Sequence, residues 1–139
     1  MVEKLALFVS EHFILVTLFV VLVAFFIYTE LQRGGKSISP QEVINLINRE
    51  NALVIDVRSG ESFRAGHISG SENLTLEQLD GELARLKALE SRPIVVVCDM
   101  NNTAGTAGRK LLSAGIEPVY RLSGGLDGWR GASLPLVKG

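Results

Sequence analysis

Residues 13–28, FILVTLFVVLVAFFIY, carry no charge, no glycine and no proline. With the apolar approach LALFV at residues 5–9, the stretch is long enough for a helix crossing the hydrocarbon core, which takes about 20 residues. A helix inside a soluble core is rarely apolar on every face in a chain of 139 residues. A cleaved signal peptide would show a basic start and a small-residue cleavage site. Here Glu3 and Glu11 flank the run and no A-x-A-like site follows it. The sequence therefore predicts a single-pass anchor within residues 1–31, its core at about 13–28.

Lys4 is the one Lys or Arg before this run, whereas Arg33 and Lys36 follow it closely. The positive-inside rule then places the C-terminal part in the cytoplasm. A single cysteine, Cys98, excludes an internal disulfide and agrees with a reducing compartment. Residues 32–37, QRGGKS, read as a flexible linker whose glycine pair ends the helix, which leaves 38–139 as the folded domain. The 14 basic and 15 acidic residues nearly cancel, so no basic field for nucleic acid is predicted. With one cysteine and with His12 and His67 the only histidines, no metal centre is expected.

The C-terminal hundred residues alternate strand and helix. SPQE at 39–42 is a helix start: Ser39 caps, Pro40 suits the first position and Glu42 can reach back. ALVIDV (52–57), PIVVV (93–97) and PVYRL (118–122) are short apolar runs of strand type. Between them lie TLEQLDGELARLKAL (75–89), helical with a Thr75–Gln78 cap pair and a Gly81 interruption, and AGTAGRKLLSAG (104–115), a helix ended by Gly115. GGLDGW (124–129) opens a last short helix. Apolar strands alternating with helices imply a parallel sheet covered on both faces, with ligands collecting outside the carboxyl ends of its strands.

Cys98 falls at such an end, before the loop DMNNT (99–103) and a helix N-terminus. A helix N-terminus favours the thiolate, the reactive form of cysteine. A short loop rich in asparagine can curl its amides into an anion nest, because Asn tolerates left-handed backbone. Thr103 can cap the helix or donate its hydroxyl to the sulfur. A free cysteine at a strand end also packs well as a small buried hydrophobe.

Three motifs in order resemble the rhodanese-homology family over residues 38–134, nearly the whole soluble part. VIDVRSGESFRAGHISGSENL (54–74) is similar to the family's first signature, VVVC plus loop and helix to its active-site segment, and RLSGGLDGW (121–129) to its closing motif. One such domain behind an N-terminal anchor is similar to membrane-anchored rhodanese-like proteins of bacterial inner membranes. The resemblance implies a five-stranded parallel α/β/α sandwich and sulfur transfer, with Cys98 carrying sulfur as a persulfide. Asp99, Met100, Asn101, Asn102, Thr103 and Ala104 would form the loop that steadies the anionic sulfur. Asp56, Arg58 and His67 are expected to support the site structurally. No cofactor or metal is implied; the partners would be a sulfur donor and an acceptor thiol or protein.

Two departures bear on the chemistry. Many family loops carry a cation right after the cysteine and a glycine at the third position; here these are Asp99 and Asn101. A carboxylate beside the nucleophile works against the thiolate and repels a dianion such as thiosulfate. A related phosphatase loop would need arginine where Ala104 stands and commonly histidine where Val97 stands. The contrasting expectation is a non-catalytic module that binds a membrane-protein partner, held at the membrane by its anchor.

Overall fold

A computed structural model describes residues 1–31, 34–89, 92–99 and 102–139. The chain divides into two compact units, Met1–Gln32 and Arg33–Gly139. The first unit contains α1 (Val2–Glu11) and α2 (Phe13–Leu31), separated at His12. The 19 residues of α2 extend about 28 Å at about 1.5 Å per residue, close to the roughly 30 Å of a bilayer's hydrocarbon core. This helix is long and apolar enough to cross a membrane, and none of the span at residues 13–30 is buried within the protein.

The second unit runs β1 (Lys36–Ile38), α3 (Pro40–Glu50), β2 (Leu53–Asp56), α4 (Gly60–Ala65), β3 (Glu72–Asn73), α5 (Leu76–Lys87), β4 (Ile94–Val97), α6 (Asn102–Ser113), β5 (Val119–Leu122) and α7 (Gly125–Gly131). Its five strands form one sheet in the order β1-β5-β4-β2-β3, every pair parallel. Helix starts follow the local chemistry of the sequence. Ser39 caps α3 by accepting from Glu42 N–H, and Thr75 and Gln78 form a reciprocal capping box at α5.

Alternation along the strands sorts the core into two layers. Leu53, Ile55, Ile94 and Val96 face Leu79 and Leu86 of α5 and Leu111 of α6. Val54, Val95, Val97 and Leu122 face Val43 of α3 and Leu126 and Trp129 of α7. Strands β2 and β4 are buried at every position because both faces are covered. Each such side chain contributes about 1.5–3 kcal/mol on leaving water.

Several local expectations give way to tertiary structure. The residues read as a flexible linker include Gly34 and Gly35, which pack against the domain, and Lys36, which opens edge strand β1 beside β5. A Cβ on Gly34 would overlap the Gly105 carbonyl of α6, and one on Gly108 would overlap the Gly34 carbonyl. The missing side chains that suggest flexibility are also what lets two backbones touch. Gly81 interrupts nothing: α5 runs through it, with no neighbour within 4 Å of a Cβ built there. Strand β3 and helix α4 are additions, since neither has enough apolar periodicity to stand out.

The two helical glycines should therefore respond oppositely to alanine. Gly108→Ala is expected to destabilise the detergent-solubilised chain by about 1–3 kcal/mol through overpacking. Gly81→Ala should stabilise it by about 0.5–1 kcal/mol through helix propensity. Urea unfolding of the two variants provides the check, and equal effects would contradict the backbone contact.

Candidate functional site

Central strand β4 carries Cys98 just past its carboxyl end. Period-two alternation turns the sulfur to the same face as Ile94 and Val96, toward α6. Cys98 is 4% exposed, among apolar neighbours that include Val57 and Ala104. It also lines a pocket of about 390 Å³ with Val57, Arg58, Ser59, Ser62, Asp99 and Thr103. The site thus joins the ends of β2 and β4 with the starts of α4 and α6.

Two backbones meet closely behind the cysteine. Leu126 N–H donates to the Cys98 carbonyl at 2.8 Å, and Asp127 N–H points to the Asp99 carbonyl at 3.4 Å. Gly125, at φ +60°, lets the start of α7 approach: a Cβ there would crowd the carbonyls of both Cys98 and Asp99. The backbone of Cys98 is consequently clamped from α7, while its side chain faces the opposite layer.

Asp56 and Arg58 pair in a buried loop after β2. The Arg58 Nη2 lies 2.8 Å from Asp56 Oδ2 and donates to the Gly66 carbonyl at 2.6 Å. Arg58 Nε and backbone N–H both donate to Asp56 Oδ1 at 3.0 Å. The Asn73 amide ties down the same loop by donating to the carbonyls of Asp56 and Arg58. The remaining Arg58 nitrogen, Nη1, lies 3.6 Å from Asp99 Oδ1, so the carboxylate that follows the cysteine is itself paired. Burial works against the Arg58 charge, but bonding to Asp56 and the nearby charges of Asp56 and Asp99 outweigh it and raise its pKa.

His67 stands away from the pocket lining and bonds its own turn, Nδ1 lying 2.7 Å from the Phe63 carbonyl. Its ring stacks on Phe63 with centroids 3.8 Å apart. Its backbone pairs with Val137 in an antiparallel bridge, which straps the C-terminal segment across this turn.

The loop after Cys98 is shorter than the sequence suggests. Helix α6 begins at Asn102, so Asn102, Thr103 and Ala104 belong to its first turn, and Thr103 does not cap it. Met100 and Asn101 lie outside the described residues, as does the side chain of Asn102. A helix's first-turn N–H groups have no acceptor within the helix itself, and residues 102–104 are such first-turn residues. Ser59, Ser62 and Val57 line the pocket without having been singled out from sequence, although VRSGESF contains all three. Ser59 spends its side-chain oxygen accepting from Ser62 N–H to cap α4, a role legible only once that helix exists.

A parallel α/β sheet with a single cysteine at its central carboxyl edge defines the class, and comparison with known proteins names it. The rhodanese-like domain family model matches residues 39–132. The chain belongs to the rhodanese-like family. It is 34% identical to the uncharacterized protein YibN of Escherichia coli (strain K12), over 99% of each chain. It is 34% identical to the thiosulfate sulfurtransferase GlpE of Pseudomonas putida (strain KT2440), over 68% of this chain and 84% of that one. The crystal structure of a thiosulfate sulfurtransferase from Pseudomonas aeruginosa superposes with a TM-score of 0.71 at 28% identity, covering 79% of this chain and 21% of that chain.

Removing one partner of the buried pair should be costly. Asp56→Ala leaves Arg58 desolvated and is expected to destabilise the chain by about 3–5 kcal/mol in urea unfolding. Because the Arg58 pKa is raised, its contribution is fully present below the ordinary guanidinium range and is lost only as pH rises through its folded value. Arg58 should therefore add no slope to stability across neutral pH.

Proposed function

We propose that this protein is a membrane-anchored sulfurtransferase that carries sulfane sulfur as a persulfide on Cys98. The observation that carries the reading is the placement of the sole cysteine at the carboxyl edge of the central strand, lining a polar pocket at the start of α6. The Cys98 thiolate would attack the outer sulfur of a donor R–S–SH. A new S–S bond forms at Cys98 while the donor's S–S bond breaks, its electron pair leaving with R–S⁻. An acceptor thiolate then takes the outer sulfur by the same exchange and restores the Cys98 thiolate.

First-turn amides of α6, including those of Thr103 and Ala104, would support the anionic sulfur, as the dipole at a helix N-terminus favours negative charge. The charges at the rim favour a donor without a double negative charge. Arg58 is the cation lining the pocket among the described residues, and it is already engaged by Asp56 and Asp99. Thiosulfate, a dianion, would meet the Asp99 carboxylate, and among the described residues no second cation lines the pocket. The neighbouring family members named as thiosulfate sulfurtransferases support the reaction class, and the pocket supports a protein-bound or low-molecular-weight persulfide as the donor.

For location, we propose a single-pass protein of the inner membrane, with α2 crossing and the rhodanese-like domain in the cytoplasm. The length and composition of α2 support the crossing, and Arg33 with Lys36 supports the orientation. A second reading, a binding module for a membrane-protein partner, draws on the deep burial of Cys98 and the carboxylate at its rim.

Mass spectrometry after incubation with a persulfide donor separates the two. A one-sulfur adduct is expected on the wild-type chain and absent from Cys98→Ser; no adduct with several donors would favour the module. Asp99→Arg should raise kcat/KM for thiosulfate several-fold relative to wild type, and no gain would refute the electrostatic argument. Orientation is best read from an exposed position rather than from buried Cys98. Glu77→Cys in the Cys98→Ser background should escape a membrane-impermeant maleimide in intact cells and react after lysis; labelling of intact cells would overturn the cytoplasmic placement.

A further inference from the structure

The N-terminal unit contains more helix than a bilayer core needs. Helix α2 already matches the hydrocarbon thickness, and α1 adds 10 residues, about 15 Å more at the usual rise. Continued straight, the pair would reach about 45 Å, well beyond the roughly 30 Å apolar slab. The helix is interrupted between the two segments. At His12 the backbone leaves helical values, with φ −122° and ψ 34°, although His12 N–H still bonds the Phe8 carbonyl and Val16 N–H bonds the His12 carbonyl.

The composition of α1 differs from that of α2 in a directed way. Helix α2 carries no charge on any side before Glu30 and no polar face, Thr17 being the one polar residue in its first 15. At about 100° per residue, α1 gathers Val2, Leu5, Ala6, Phe8 and Val9 on one side. Glu3, Lys4, Ser10 and Glu11 occupy the other, with Leu7 the one large apolar residue among them. None of these residues is buried against protein: Leu5, Phe8 and Val9 are all exposed. A two-sided helix joined directly to an all-round apolar one fits a two-sided medium beside an apolar one.

We propose that α1 is an interfacial helix, lying in the boundary between headgroups and acyl chains of the bilayer that α2 crosses. Its apolar side faces the acyl chains, and Glu3, Lys4 and Glu11 face water. The inference rests on the reading of α2 as a membrane span. Covalent continuity places α1 at that boundary, and the non-helical residue at His12 is the point where the chain would change direction. The aromatic ring of Phe8 lies 5.0 Å from that of His12, so the turn itself presents two ring side chains at the level where amphipathic rings settle. Two acids against one lysine give the outer side no attraction for anionic lipid, so burial of apolar surface is the driving term. Zwitterionic lipid is therefore the appropriate probe.

The test uses the full chain in phosphatidylcholine vesicles, with the Cys98→Ser background and single cysteines carrying a nitrobenzoxadiazole fluorophore. Leu5→Cys, Phe8→Cys and Val9→Cys report the apolar side, Glu3→Cys and Ser10→Cys the polar side, and Val20→Cys the middle of α2. Iodide quenching is expected to be several-fold weaker at positions 5, 8 and 9 than at 3 and 10. Lipids spin-labelled near the headgroup should quench 5, 8 and 9 more than lipids labelled deep in the chain, with the reverse order at position 20. Equal, strong iodide quenching at all five α1 positions would overturn the proposal by placing α1 in water. Equal protection with deep-lipid quenching would overturn it by placing α1 inside the hydrocarbon. Iodide reaching position 20 would refute the span itself, a failure distinct from either of these.

Discussion

Parallel hydrogen bonding of β4 between β2 and β5 is the constraint from which the site follows. In an all-parallel sheet every strand points the same way, so the carboxyl ends of β2 and β4 converge on one edge and the helices start from that edge. Cys98 and Arg58, forty residues apart in sequence, become neighbours because the residues before them are paired in register, Asp56 with Val97. The side-chain period of two then decides that the sulfur faces α6 and the pocket rather than α7.

Charge at that edge is arranged as a short chain of pairs. Asp56 is buried and satisfied by Arg58, and Arg58 reaches both the Gly66 carbonyl and Asp99. An isolated ion in such a place would be expensive to desolvate, whereas a bonded pair holds its loop in one conformation. The same guanidinium thereby connects three segments: the turn before His67, the end of β2 and the residue after the cysteine. Through Gly66 and His67 the connection continues to the strap formed by the C-terminal segment. Pocket electrostatics and loop stability are consequently one problem in this protein.

Close backbone contacts do a second kind of work. Gly34 against Gly105 and Gly108, and Gly125 against Cys98 and Asp99, each bring two main chains nearer than a Cβ would permit. The first contact seats the start of the domain on α6, the helix that follows the cysteine. The second holds the carbonyls at the cysteine itself. Helix α6 is thus fixed at its Gly105–Gly108 surface and the strand end beside it is fixed from α7, which makes a rigid support for the Cys98 side chain.

The amino-acid sequence by itself determined the elements whose signals are local. The uncharged run of α2, the apolar β2, β4 and β5, and the Ser39 and Thr75 caps are all set by neighbouring residues, and so they were legible without coordinates. Cys98 at a strand end was legible for the same reason. Only the tertiary structure decided that Gly34 and Gly35 are packed, that Lys36 begins a strand, and that Thr103 lies inside α6. It also decided that Arg58 meets Asp99 and that Ser59 and Ser62 join the pocket. A glycine reads as freedom until another backbone fills its empty side. A charge has no partner until the fold brings distant loops within a few ångströms, because neither packing nor pairing across a sheet leaves a periodic mark on the sequence.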